Sequence, residues 1–141
     1  MPSDPPAGLR VLVVEDDDDI RGLVAFRLAR VGVTVHEAVD GESGLAAVAE
    51  IQPDLVLLDW MMPGIDGLEV CRRLRADPAT AALPVVLLTA RAREADAQRG
   101  LAAGADAYVA KPFSQPELLG AIRMALAARG LEHRAPDDER E

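Results

Sequence analysis

Five short apolar runs, at residues 11–14, 33–38, 55–58, 85–88 and 107–110, are spaced so that a helix fits between each neighbouring pair. Most are apolar at successive positions rather than at every second one, the pattern of parallel strands covered on both faces. Val33-Thr34-Val35-His36 alternates instead, which predicts a sheet edge. Between the runs, Ile20, Leu23, Val24, Leu28 and Val31 repeat at helical spacing, as do Leu68, Cys71 and Leu74. Ser114-Gln115-Pro116-Glu117 has the form of a capping box and opens a last helix that buries Leu118, Ile122 and Leu126. Residues 94–103 make a weaker helix, Ala-rich and with Gly100 inside, expected to be mobile. Five strands interleaved with five helices predict an α/β three-layer sandwich with a parallel sheet, and right-handed crossovers leave few topologies for it.

With 141 residues the chain fits one domain with a real core. No apolar run approaches the roughly 20 residues of a membrane-spanning helix. Residues 1–8 are polar and Pro-rich, expected to be disordered, and lack the basic start and apolar stretch of a signal peptide. Gly130 ends the last helix, and residues 130–141 read as a disordered acidic tail. A lone cysteine, Cys71, cannot form an internal disulfide and suits a reducing, cytoplasmic location. The formal net charge of −9 argues against direct binding to nucleic acid or to an anionic membrane. It favours a cation.

In an open parallel sheet, function gathers at the carboxyl ends of the strands. The first run leads into Glu15 and Asp16, the third into Asp59, the fourth into Thr89 and the fifth into Lys111, which is the only lysine in the chain. Three carboxylates brought to one rim repel unless a cation joins them. Oxygen ligands without His or Cys suit Mg²⁺, with Mn²⁺ as a possible substitute. Asp59 is then a candidate nucleophile, since carboxylates accept phosphoryl groups as aspartyl-phosphates. Phosphoryl transfer depends on positioning and positive charge, which Lys111 and the cation would supply while the Thr89 hydroxyl bonds a third oxygen.

The segments Val13-Val14-Glu15-Asp16, Leu58-Asp59-Trp60-Met61-Met62-Pro63-Gly64-Ile65-Asp66-Gly67, Leu88-Thr89-Ala90 and Gly104-Ala105-Asp106-Ala107-Tyr108-Val109-Ala110-Lys111-Pro112-Phe113 resemble the response-regulator receiver family. The resemblance spans about residues 9–129. It implies a flavodoxin-like fold with strand order 2-1-3-4-5, the order of chemotaxis receivers. It also implies Asp59 as phosphoacceptor, Glu15, Asp16 and Asp59 as metal-ligating acids, and the Met61 backbone carbonyl as a further ligand. Thr89 and Lys111 would hold the phosphoryl group, Tyr108 would be the aromatic switch residue, and Lys111–Pro112 would be a cis peptide. The implied donor is a sensor histidine kinase or phosphotransfer protein, and the output partner is unknown. Glu15-Asp16 stands where the family often has Asp-Asp, with Glu15 acting through water. Ala97, Ala107 and Ala121 stand where charged residues usually link two activated protomers, so a monomer or weak dimer is expected.

Plainer readings compete at several positions. Asp17, Asp18 and Asp19 are better taken as helix-capping acids than as ligands, and Asp66 as a cap before the Gly67 helix. Trp60 and Phe113 are too scattered for a nucleic-acid stacking platform. His36 and His133 have no ligand spacing. A haloacid-dehalogenase-like phosphatase needs a second Asp where Met61 stands. A flavodoxin-type carrier or a dinucleotide-binding domain needs a Ser/Thr- or Gly-rich loop where residues 15–19 are acidic. The remaining alternative is a receiver-like interaction module that works without phosphorylation, but Asp16, Asp59 and Lys111 are all retained.

Overall fold

The computed structural model describes residues 5–90 and 94–131. The elements are β1 (Arg10–Val14), α1 (Asp18–Ala29), β2 (Thr34–Ala38), α2 (Gly41–Ile51), β3 (Leu55–Asp59), α3 (Gly67–Ala76), β4 (Val85–Thr89), α4 (Glu94–Ala102), β5 (Ala107–Ala110) and α5 (Gln115–Ala128). The five strands pair in parallel in the order β2-β1-β3-β4-β5. All five expected runs are strands, and the alternating one, β2, is at an edge. Strand order reverses at β1, which leaves a crevice at the carboxyl ends of β1 and β3.

Alternate residues of the central strands feed two cores. On one face Val11, Val13, Leu55, Leu57, Val86 and Leu88 pack with Val24 and Leu28 of α1 and with Leu118, Ile122 and Leu126 of α5. On the other, Leu12, Val14, Val56, Leu58, Val85 and Leu87 pack with Val48 of α2 and with Leu68, Cys71 and Leu74 of α3. Both faces being covered is why the strands read as continuously apolar. On α1 the buried stripe is narrower than the periodicity predicts. Val24 and Leu28 are buried, whereas Leu23 is 47 % exposed.

The caps agree with the sequence. Asp17 caps α1, its carboxylate accepting from the amides of Asp19 and Ile20, and Asp66 caps α3 by accepting from Glu69. Ser114 and Glu117 form a reciprocal capping box at α5. At the amino end the Gly8 amide donates to the Gly32 carbonyl. After α5, Gly130 takes φ +73°, the Leu131 amide returns to the Leu126 carbonyl at 2.7 Å, and the Leu131 side chain packs on the core. Residues 1–4, 91–93 and 132–141, which include Arg91 and His133, lie outside the described residues.

Where β5 begins, Asp106 gathers two guanidiniums and a backbone amide. Its carboxylate meets Arg75 of α3 at 2.9 Å and Arg129 at 3.0 Å, and it accepts from the Val85 amide at 2.9 Å. Arg75 also donates to the carbonyls of Gly104, Ala81 and Leu83.

Candidate functional site

The carboxyl ends of β1, β3, β4 and β5 bring the expected residues to one rim. Register fixes this: Asp59, the last residue of β3, is opposite Leu88, and Thr89, the last of β4, is opposite Ala110. The Lys111 amide donates to the Thr89 carbonyl at 2.7 Å, which ties the lysine to the threonine strand. Behind the rim, α3 starts against the β3 end. A Cβ on Gly67 would lie 2.6 Å from the Asp59 carbonyl oxygen, so only glycine permits that approach. The Lys111–Pro112 peptide is cis.

One carboxylate oxygen from each of Glu15, Asp16 and Asp59 lies within 4.8 Å of the others. Glu15 and Asp59 are buried, 1 % and 3 % exposed, and Asp16 is exposed. The Lys111 ammonium donates to Glu15 Oε1 at 2.8 Å and to Asp59 Oδ1 at 3.0 Å. The second Glu15 oxygen accepts from the Asp17 amide at 3.1 Å. Burial pushes the Asp59 carboxyl up to about 7; the Lys111 hydrogen bond opposes this, and the charge of Glu15 adds to it. For Lys111 burial works against the ammonium, but its hydrogen bonds to Glu15 and Asp59 outweigh burial and its pKa is raised. The donor set is all oxygen, with an excess of negative charge that one lysine leaves uncancelled, and it fits a hard divalent cation.

Thr89 is 1 % exposed, whereas the Tyr108 ring is 36 % exposed on the outer side of β5. Met61, two residues after Asp59, is 55 % exposed. Trp60 is buried and Arg99 of α4 stacks over its ring, with 5.5 Å between the guanidinium carbon and the centroid. Sequence reasoning did not find that stack, nor the pairing of Glu15 with Lys111, because neither partner is near the other in the chain. Ala97, Ala107 and Ala121 are all buried.

The response regulator receiver domain model matches residues 11–123. The chain is 44 % identical over 117 residues to the phosphate regulon transcriptional regulatory protein PhoB of Rhizobium meliloti, covering 83 % of this chain and 52 % of that one. It is likewise 44 % identical to the DNA-binding dual master transcriptional regulator RpaA of Synechocystis, covering 83 % and 48 %. The chemotaxis protein CheY4 of Vibrio cholerae superposes with a TM-score of 0.80 at 31 % identity, covering 85 % of this chain and all of that one. The chain therefore belongs to the response regulator receiver domain family, the signalling modules of two-component systems.

The chain spans about half the length of the curated relatives it matches. That overturns the expectation of no nucleic-acid partner, since RpaA is a DNA-binding transcriptional regulator. The expectation rested on a net charge of −9. That charge describes this chain, which matches only about half of such a relative, and carries no information on what the other half contacts. No helix among the described residues is long and apolar enough to cross a membrane.

Proposed function

We propose that Asp59 accepts a phosphoryl group from the phosphohistidine of a sensor kinase or phosphotransfer protein, in the presence of Mg²⁺, and that the modified domain controls an output. The observation that carries this reading is the Lys111 ammonium seated 3.0 Å from the Asp59 carboxylate within a cluster of three acids. Asp16 and Asp59, with the Met61 backbone carbonyl, would hold the cation, with Glu15 beside them. When bound, the cation would neutralise charge on the acids and on the entering phosphoryl oxygens. A carboxylate oxygen of Asp59 attacks phosphorus, the P–N bond breaks, and the imidazole leaves with the electron pair. Lys111 then pairs with one phosphoryl oxygen and the Thr89 hydroxyl donates to another.

Asp59 must be ionised to attack. Its carboxyl is raised to about 7 by burial, so a divalent cation would also serve to keep it charged at neutral pH. Switching follows from Thr89. As its hydroxyl turns to the phosphoryl group it vacates space beside β5, and the Tyr108 ring moves in from its half-exposed position. Helix α4 responds most readily, being held by small residues such as Ala97 and Gly100. The output we infer is transcriptional control exerted through a DNA-binding segment, the kind of protein that RpaA is named as. We place the reaction in the cytosol, as the lone buried thiol of Cys71 suggests.

Trp60, the only tryptophan, is adjacent to Asp59 and reports the site. Its fluorescence should change on adding Mg²⁺ and change again with beryllofluoride, a phosphoryl mimic. A response to beryllofluoride that is equal with and without Mg²⁺, or one retained in Asp59→Asn, contradicts the reading.

A further inference from the structure

We propose that Arg21 is a positioning residue for Asp16. Its guanidinium clamps the peptide that joins Glu15 to Asp16, and so sets the direction in which the Asp16 carboxylate leaves the strand. The inference rests on the functional reading above, in which Asp16 helps to hold the cation, and deepens it.

The pairing of β1 with β2 ends at Val14 and Ala38, and the Glu15 amide still donates to the Ala38 carbonyl at 3.1 Å. Past that bond two side chains take over. Arg21, in the first turn of α1, donates from Nη1 to the Glu15 carbonyl at 2.8 Å, and Glu15 Oε2 accepts from the Asp17 amide at 3.1 Å. The two peptide groups that flank the Asp16 Cα are therefore both held, one by its carbonyl and the other by its N–H. A peptide group is planar, so fixing both planes fixes φ and ψ of Asp16 and leaves only its side-chain torsions free. Asp16 is open to solvent, where a looser backbone would let its carboxylate sample many positions.

The arginine is itself held. Nη2 meets Asp18 at 2.6 Å and Nε donates to Glu37 of β2 at 3.1 Å, so three nitrogens of one guanidinium serve three partners. The Arg21 side chain is 14 % exposed, whereas those of Asp18 and Glu37 are 84 % and 46 % exposed. Ion pairs that open to water add little to stability. What these two supply is orientation, holding the guanidinium plane so that Nη1 faces the Glu15 carbonyl. A planar fork suits that task, whereas a lysine offers one ammonium on a flexible stem.

Charge and position predict opposite signs, and this makes the test. By charge alone, removing a cation this close to the acids should tighten Mg²⁺ binding. If Arg21 positions Asp16, removing it should weaken that binding. In the Trp60 fluorescence titration, Arg21→Met should raise the Mg²⁺ dissociation constant at least about tenfold, equivalent to 1.4 kcal/mol. Arg21→Lys keeps the charge without the fork and should also raise it; it is the variant to read if Arg21→Met does not fold. The loss should run through Asp16, so in an Asp16→Asn background Arg21→Lys should cost no further affinity. In metal-free protein, NMR should show the Asp17 amide exchanging with water several-fold faster in either folded variant than in the wild type. Mg²⁺ binding that is unchanged or tighter in either folded variant overturns the assignment. So does a loss that adds in full to that of Asp16→Asn, or an unchanged Asp17 exchange rate. Because the exchange arm involves no cation, it judges the clamp even if the wild type fails to bind Mg²⁺, a failure that would count against the functional reading instead.

Discussion

Gly67 and the carbonyl oxygen of Asp59 are so close that a Cβ on the glycine would lie 2.6 Å from the oxygen and 2.9 Å from the Trp60 Cα. The first turn of α3 is thereby pressed onto the strand end that carries Asp59. Both opposing atoms are backbone, which cannot swing aside. Gly67→Ala should therefore cost about 1–3 kcal/mol by overpacking and also displace Asp59. Urea unfolding gives the first number, and the Mg²⁺ titration of Trp60 fluorescence should show weakened binding. A variant as stable as wild type with unchanged titration would mean that α3 can back away freely.

Asp59 carries a stability cost that depends on pH. Its folded pKa, about 7, is above the ordinary carboxylate value of 3.8, because burial disfavours the charged form. Between those values the folded state binds more protons than the unfolded one, so this group's contribution to stability falls as pH rises through the window. Asp59→Asn removes the buried charge. In metal-free protein it should raise the melting temperature at pH 8, by roughly 4 °C for each kcal/mol recovered, and the gain should shrink towards pH 5. A gain that is larger at pH 5 than at pH 8 contradicts the assigned direction.

Asp106 binds two guanidiniums and a backbone amide at the far end of β5 from Lys111. Asp106→Ala would leave Arg75, half-buried and desolvated, without its counter-charge. Removing one partner of a buried pair of this kind costs about 3 kcal/mol. Chemical denaturation should show a loss of that size, whereas Asp106→Asn, which keeps an acceptor, should lose less. Equal losses in the two variants would assign the effect wholly to the lost charge and show that the acceptor kept by Asn contributes nothing.

Lifetime of the phosphorylated form should be long. Hydrolysis needs a water held in line with phosphorus, and Met61, exposed two residues after Asp59, offers only a thioether, a weak acceptor. Arg91, two residues after Thr89, is a donor only, and it lies outside the described residues. Decay over many minutes is expected on phosphate-affinity gels after the donor is removed. Met61→Asn combined with Arg91→Glu should shorten it. Decay of the wild type in seconds, or a double variant that is no faster, would show that these positions do not set the rate.

Much of the fold was legible because each strand of a doubly covered sheet is written as a local apolar run, and the run lengths leave room for one helix each. Asp17, Asp66 and Ser114 were legible as caps for the same reason: the capping residue and the amides it serves lie within a few positions of one another. Helix α2 was legible only as a slot between two strands, although Asp40 and Ser43 form a capping box at its start. The site residues were identifiable because each stands at or just past the carboxyl end of an apolar run. Their pairing was not. Glu15 and Lys111 are 96 positions apart, and their contact depends on how β1, β3, β4 and β5 line up. The exposure of Leu23 was missed because periodicity marks the apolar side of a helix but not how much of it the neighbouring elements cover. Net charge misled on nucleic acid because it sums over a chain that need not include every part of the working protein.

The most direct measurement is peptide mass spectrometry after incubating the protein with acetyl phosphate. With Mg²⁺ present, one phosphoryl group should appear on the peptide containing Asp59, and it should be absent without divalent metal and absent from Asp59→Asn. Labelling of Asp59→Asn equal to that of the wild type, or a wild-type label that forms equally well in the presence of a chelator, would contradict the assignment of Asp59 as a metal-assisted phosphoacceptor.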